Sequence, residues 1–570
     1  MKEAGLQDLV DESAGGQAGP DQREVLRSLF AEVLNLPQVG PDDSFLDLGG
    51  QSVTAMLLMS QVNTALGTDL SIADLFDSPT VAELHALILE RTGAAADSPG
   101  GKPGAHRGAA AEESAEEASG IPQNAYPLSF NQEFFCDLDM GESAGSFSAM
   151  HTLVQAWRLT GSIDTQALRH ALDDLVERHE ILRSAVARDA QPRYQEVRPP
   201  SPVTLLIREI PAEPGKSRDL QCEELLAEVA QRDFSAHDLP LLRADLGQFD
   251  ETDSVLLITA HHSAVDAWSM QVVIRDLATL YALRRGLETP ALPEMCQYRE
   301  YAASQQQGAD SGALAAERDF WREKLEGARA FALPIRPAAQ PESASRYAMR
   351  NISLSPETSR AIVRLAGELR CSPYMVMLSA FYLMAHRISG ATDLTVTTFS
   401  SGRSEARFRN TIGPFLNLLP VRTEISGSAG FRELVKRTRA NCVEAYSHDI
   451  PFAQVASEAP ELFEPPAPEG YTMPTFEMIQ SPNPTEGEVI GDVGYAEVHI
   501  RHLFEGDCPD IPDGMLWLFA LLSPEQIVGS IQFKRSEFSS QAITDLMTEF
   551  TRILERSLAA PDDKLDLVVQ

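Results

Sequence analysis

Residues 93–120 read GAAADSPGGKPGAHRGAAAEESAEEASG. A run so rich in Gly, Ala, Ser and Glu, with no apolar periodicity, cannot bury enough surface to offset the entropy of ordering it, so it reads as a linker. It divides the 570-residue chain into a small unit, residues 20–92, and a large one, residues 121–570. As a flexible coil of about 28 residues it spans about 30 Å, enough for the small unit to swing relative to the large one. Residues 1–19 are expected to be a disordered N-terminus. No repeat of roughly 20–50 residues is visible, which argues against a solenoid.

The balance of 47 Lys+Arg against 83 Asp+Glu gives a net charge of −36. Nucleic acid and anionic membrane surfaces would repel such a chain, so the expected partners are proteins and small molecules. The six cysteines are scattered and form no CxxC pair, so neither a zinc site nor a disulfide framework is indicated. A reducing cytoplasm fits. The first 20 residues lack a basic start followed by an apolar core, and no run approaches membrane-spanning length, so the reading is a cytoplasmic, unanchored protein, expected to be monomeric.

The small unit reads as a helical bundle. In DQREVLRSLFAEVLNLP, Val25, Leu26, Leu29, Phe30 and Val33 fall at helical spacing and Pro37 closes the pattern. Gly49 and Gly50 break the chain before a helix from about Ser52 to Gly67, and another opens in SPTVAELHALILERTG with Thr80 as its cap. Serine is a favoured N-cap, and that alone is a sufficient account of Ser52. A helix N-terminus after a Gly-Gly turn is also exposed and favours a phosphate. DLGGQS, preceded by DDSF and followed by LFDSPTVAEL, resembles the peptidyl carrier proteins of nonribosomal peptide synthetases across this whole unit. The resemblance implies four helices and a 4'-phosphopantetheine group attached covalently to Ser52.

In the large unit, SVLLITA (254–260) has the length and apolar character of a buried strand, and MQVVIRDLATLYALRRG (270–286) has helical periodicity. His261 and His262 fall between them, where a rigid element can present catalytic side chains. A lone histidine there would more often be a satisfied core residue. Two adjacent histidines in a chain that has 12, with Asp266, Trp268 and Ser269 after them, weaken that account.

TAHHSAVDAWSM resembles the HHxxxDG motif of nonribosomal peptide synthetase condensation domains, and the remaining motifs follow in order. LSFNQEFF (128–135) resembles the first, with Asn131-Gln132 at the usual Ala-Gln, and RHEILRS (178–184) the second. YREYA (298–302) stands for the fourth, IGPFLNLLPVR (412–422) for the fifth, SHDIPF (447–452) for the sixth, and TFEMIQSPNP (475–484) for a degenerate seventh. The fold implied is α/β, a two-lobed chloramphenicol-acetyltransferase-like condensation domain behind the all-α four-helix carrier. Its N-lobe would span residues 121–298 and its C-lobe 299–570, with the histidines where they meet.

The resemblance marks His262 as catalytic. An α-amine, with pKa about 7.7–8.0, is partly nucleophilic at neutral pH, so full base activation is not obligatory; His262 could accept the proton or hold the amine in line. His261 is expected to pack inward. Asp266 is implied to form a buried pair with a second-motif arginine, Arg183 first and Arg178 second, and Asn417 to line the site or support the tetrahedral intermediate. Metal chemistry finds no third ligand nearby, and a serine-hydrolase elbow is lacking because GxSxG does not occur. Heterocyclization domains carry aspartates in place of the histidine pair, and epimerization domains usually read Ser-Trp where Trp268-Ser269 stands. GGQS resembles carriers that feed a condensation domain directly, which points to an L-configured donor. The motif glycine after Asp266 is Ala267 here, which would matter if the position needs positive φ or close approach. The implied partners are a phosphopantetheinyl transferase, an adenylation domain that loads the carrier, and a downstream acceptor carrier. Alternatives are an ester-forming condensation domain and a silent platform that docks carriers or recruits tailoring enzymes.

Overall fold

The computed structural model describes residues 21–96, 122–310 and 312–565, apart from 35, 37, 47, 49, 51, 140, 142–144, 150, 313, 338–346, 404, 426–429, 464–469, 480–487, 491–492, 500–504 and 509–513. The expected disordered N-terminus, Gly49 and most of the expected linker lie outside these residues, as does the end of the seventh motif.

The carrier unit is four helices, α1 (Gln22–Val33), α2 (Ser52–Leu66), α3 (Ile72–Asp77) and α4 (Val81–Ala96), so the last helix runs a few residues into the stretch read as linker. Leu26, Leu29 and Phe30 of α1 are buried, and Phe30 meets the Phe45 ring edge-on at 5.8 Å. Thr80 and Glu83 form a reciprocal cap: the Glu83 N–H donates to the Thr80 hydroxyl at 3.1 Å and the Thr80 N–H to the Glu83 carboxylate at 3.2 Å.

The large unit has two main sheets. Its first half supplies β1 (Thr152–Thr160), helix α5 (Thr165–Arg178), β2 (Thr204–Glu209), β3 (Leu242–Gln248), β4 (Asp253–His261) and α6 (Ala267–Arg284). Its second half supplies β5 (Tyr347–Ser353), α7 (Pro373–Ser389), β6 (Asp393–Ser400), β7 (Asn417–Glu424), α8 (Phe431–Ser447), β8 (Pro474–Ile479), β9 (Glu488–Ile490), β10 (Val493–Glu497), β11 (Glu505–Asp507), β12 (Met515–Ser523) and β13 (Gln526–Lys534). The first sheet runs β9-β10-β1-β4-β3-β2 and the second β7-β6-β8-β12-β13-β5-β11. β10 pairs antiparallel with β1, so the second half lends two strands to the sheet of the first and the halves interlock. Every residue of β4 is buried, which explains its uninterrupted apolar run.

Candidate active site and carrier contact

β4 delivers His261 as its last residue, and α6 begins six residues later, capped by Asp266, which accepts the Ser269 N–H at 2.7 Å. His261 is fully buried; its Nδ1 accepts the Ser263 N–H at 3.2 Å and its Nε2 donates to the Ser148 carbonyl at 3.2 Å. Burial pulls its pKa down to about 4, so the ring is neutral and its two nitrogens are committed to holding the turn. His262 is half-buried. Its Nδ1 is tucked against its own backbone and that of Val265 without a well-formed hydrogen bond. Burial lowers its pKa, the Asp266 carboxylate pulling the other way, so it too is a neutral base at pH 7.

The expected pairing of Asp266 with Arg183 is not what the fold makes. Asp266 pairs with Arg403, Nη1 to Oδ2 at 2.7 Å and Nη2 to Oδ1 at 3.2 Å. Arg403 also donates to the Ser269 hydroxyl at 3.0 Å, lies over the Phe415 ring at 4.0 Å, and is buried. Arg183 instead donates to the carbonyls of Val176, Glu177 and Arg198. Arg178 and His179 do reach a buried carboxylate, but it is Asp276. Asp276 is ten residues along α6, about 15 Å from the capping aspartate. The second motif packs against the middle of α6, out of range of its N-terminus.

Asn417 is also placed differently from the expectation. It opens β7, donates to the Asp449 carboxylate at 2.6 Å and the Ile450 carbonyl at 2.7 Å, and accepts the Phe452 N–H at 2.8 Å. With its amide engaged in this way it supports the 449–452 turn and has no donor to offer a reactant. Burial pushes Asp449 up to about 6.

The motifs meet around the Asp266–Arg403 pair. The Tyr298 hydroxyl joins the Ser129 hydroxyl at 2.7 Å and donates to the Pro414 carbonyl at 3.1 Å. Gly413 lies so close to the Tyr298 ring that a Cβ would stand 1.9 Å from it. Asn131 donates to the Pro414 carbonyl at 2.9 Å, and Ser269 to that of Gly413 at 2.8 Å. Ala267 opens α6, and among the described residues the one non-glycine at positive φ is Arg370, so the alanine needs no glycine-like backbone.

The carrier lies against this same unit. Arg370 donates to the Asp77 carbonyl at 2.7 Å and pairs with Glu83 at 3.1 Å. Arg439 pairs with Asp77 at 2.6 Å and stands over the Phe76 ring, and Arg409 pairs with Glu32. Arg409 also offers its carbonyl to the Trp268 indole N–H at 3.1 Å, which links the carrier contact to the first turn of α6. Helix α2, which begins at Ser52, packs beside the turn Ala406–Phe408. A phosphate at the start of α2 is compatible with what surrounds it: the first turn holds no acidic residue, and Gly50 is pressed against Phe45, where a Cβ would clash at 2.4 Å.

Sequence reasoning missed Arg403. A weak signal was there: the Ser-Gly-Arg that follows the β-branched strand run DLTVTTFS; in the structure Gly402 takes φ +62° against the Phe415 carbonyl. It missed His151 as well, whose ring stacks on that of His262.

The condensation-domain family model matches residues 122–462 and the phosphopantetheine attachment site model residues 24–88. A linear gramicidin synthase of Brevibacillus parabrevis is 27% identical over 554 residues, covering 96% of this chain and 10% of the relative. A dimodular nonribosomal peptide synthase of Bacillus subtilis is 30% identical over 568 residues, covering 95% of this chain and 22% of the relative. The crystal structure of the SgcC5 protein from Streptomyces globisporus, in complex with a naphthyl ethanediol and sucrose, is 38% identical with a TM-score of 0.73 over 77% of this chain and all of that one. This chain thus spans a tenth to about a fifth of those two synthetases. No helix among the described residues is long and apolar enough to cross a membrane. The chain belongs to the condensation-domain family, with a phosphopantetheine attachment domain in front of it, the carrier–condensation pair of nonribosomal peptide synthetases.

Proposed function

We propose that the carrier, modified at Ser52, presents an acyl or peptidyl donor, and that the condensation domain transfers it to the amine of an acceptor on a downstream carrier, forming a peptide bond. The observation that carries this reading is a half-buried His262 at the end of β4, on a turn whose Asp266 is paired with Arg403 of the second half, in a unit whose neighbouring turn Ala406–Phe408 already contacts the carrier helix that starts at Ser52. The 4'-phosphopantetheine group supplies a thioester on a flexible arm.

In the transfer the amine nitrogen bonds to the thioester carbonyl carbon, the carbon–sulfur bond breaks, and the amine proton ends on the sulfur. His262 holds the amine in line and accepts that proton before passing it on; with Nδ1 buried, Nε2 is the nitrogen available to do so. His261 and the Asp266–Arg403 pair fix the turn that carries it. The working protein depends on a phosphopantetheinyl transferase, a loading adenylation domain and an acceptor carrier in the cytoplasm.

A second reading, transfer to a hydroxyl to form an ester, is favoured by the diol bound in the SgcC5 complex. A neutral hydroxyl is a weaker nucleophile than a neutral amine and gains strength only as its proton leaves, so it would lean more heavily on His262 as base. The test is intact-protein mass after treatment with a promiscuous phosphopantetheinyl transferase and an aminoacyl-coenzyme A, which transfers aminoacyl-phosphopantetheine to Ser52 and releases adenosine 3',5'-bisphosphate, followed by acceptor amines and alcohols. The donor mass should appear on the wild type but not on Ser52→Ala, and should leave with matching amide. Loading without transfer to any acceptor would contradict the catalytic reading.

A further inference from the structure

His151 stands immediately before β1, whose register sets Thr152 opposite His261. One step further, the His262 N–H donates to the His151 carbonyl at 2.9 Å, carrying the ladder past the strand ends. Directly opposed residues on antiparallel strands bring their side chains together. The two imidazoles accordingly lie face to face, 17° from parallel with centroids 4.8 Å apart. His151 is itself only 5% exposed and is wedged on other sides by Phe135, edge-on at 6.0 Å, and His261 at 6.2 Å. His262 is half-buried, and its Nδ1 makes no well-formed hydrogen bond that would fix the ring plane. A general base must sit within about 3 Å of the proton it takes and in the right orientation, and small misplacements cost rate. Stacked aromatic rings are a recognised source of such orientation.

We infer that His151 is a positioning residue for the acyl transfer: its ring, anchored by the strand register, holds the imidazole of His262 in the plane from which it meets the acceptor. The inference rests on the proposed role of His262 and adds to it the group that sets its orientation. A flat side chain at 151 is what this role needs, and a bulky but non-planar one should fill the space without performing it.

The experiment compares His151→Phe and His151→Leu in the full chain, loaded at Ser52, with single-turnover transfer referred to the folded fraction measured by circular dichroism. Both variants fill the site, so a folding defect can be separated from a positioning defect. His151→Leu should lower kcat about tenfold with the acceptor KM within about twofold of wild type, and His151→Phe should recover most of that loss. Equal kcat in the two variants, or a loss that enters through KM, would overturn the inference. His262→Ala is run alongside: if it transfers at the wild-type rate, the reading of His262 itself fails, whereas a slow His262→Ala beside an unimpaired His151→Leu removes only the role of His151.

Discussion

Among the arginine–carboxylate contacts of this chain, the pair at the start of α6 and the pairs against the carrier differ in almost every physical respect. The Asp266–Arg403 pair leaves 2% of each side chain exposed, is bidentate, and is surrounded by Ser269, Thr411 and Phe415. The pairs that seat the carrier are wet: Arg370–Glu83 leaves 50% and 39% of the side chains exposed, and Arg439–Asp77 leaves 20% and 69%. A buried charge that loses its partner is stranded in a poor solvent, whereas an exposed one returns to water at little cost. The same chemistry therefore gives a permanent lock on the turn that carries His262 and a reversible grip on the carrier. On the proposed reading, in which the carrier also visits a loading domain, the second kind is required.

The largest expected effect lies in the lock. Arg403→Ala should lower the stability of the large unit by about 3–5 kcal/mol, read from urea unfolding, because it strands Asp266. Arg183→Ala, which removes contacts to backbone carbonyls in a partly exposed setting, should cost about 1 kcal/mol. Equal costs would dissolve the contrast.

Next comes the turn itself. The unfolded pKa of His261 is near 6.5 and its folded value is about 4, so the unfolded chain binds more protons between those values. Its contribution to stability is therefore complete above pH 6.5 and is lost as the pH falls towards 4, by about 3 kcal/mol in all. Asp449, raised to about 6, works in the opposite direction, so the quantity to follow is the difference between wild type and His261→Gln. That difference should shrink on acidification from pH 7 to pH 4, and a growing difference would contradict the neutral assignment of His261.

The carrier grip should be smaller and sensitive to salt. Exposed pairs contribute about 0.2–1 kcal/mol each, so Arg370→Glu should slow transfer from the tethered carrier by no more than about fivefold at low ionic strength. The effect should fade in about 0.5 M salt, and Glu83→Arg on the carrier should restore part of it. The smallest effect is expected at Ala267. Because it sits in the first turn of α6 without positive φ, Ala267→Gly should lower stability by less than about 1 kcal/mol and leave the transfer rate within about twofold.

The local part of this picture was legible in the sequence. The strand ending at the histidine pair, the helix after it and three of the carrier helices follow from periodicity and turn residues over windows of ten to twenty positions, whereas the short helix Ile72–Asp77 was implied only by the family resemblance. The partner of Asp266 was not legible, because it lies 137 residues away and is chosen by which loop the second sheet brings over the first turn of α6. The family resemblance pointed to Arg183 of the second motif, whose guanidinium is instead taken up by the carbonyls of Val176, Glu177 and Arg198. Asn417 shows the same limit: its residue type suits a reactant site, yet three contacts from the 449–452 turn decide its use. The lending of β9 and β10 to the first sheet carries no local signal at all, since pairing is a property of two distant segments.

The most direct test of the account is the rapid-quench rate of acyl transfer from the Ser52-loaded carrier to a saturating acceptor amine, compared between wild type and His262→Ala at pH 7. Removal of a positioned general base predicts a fall of about 100-fold or more with loading of Ser52 unchanged. Equal rates in the two proteins would contradict the assignment of the transfer to His262.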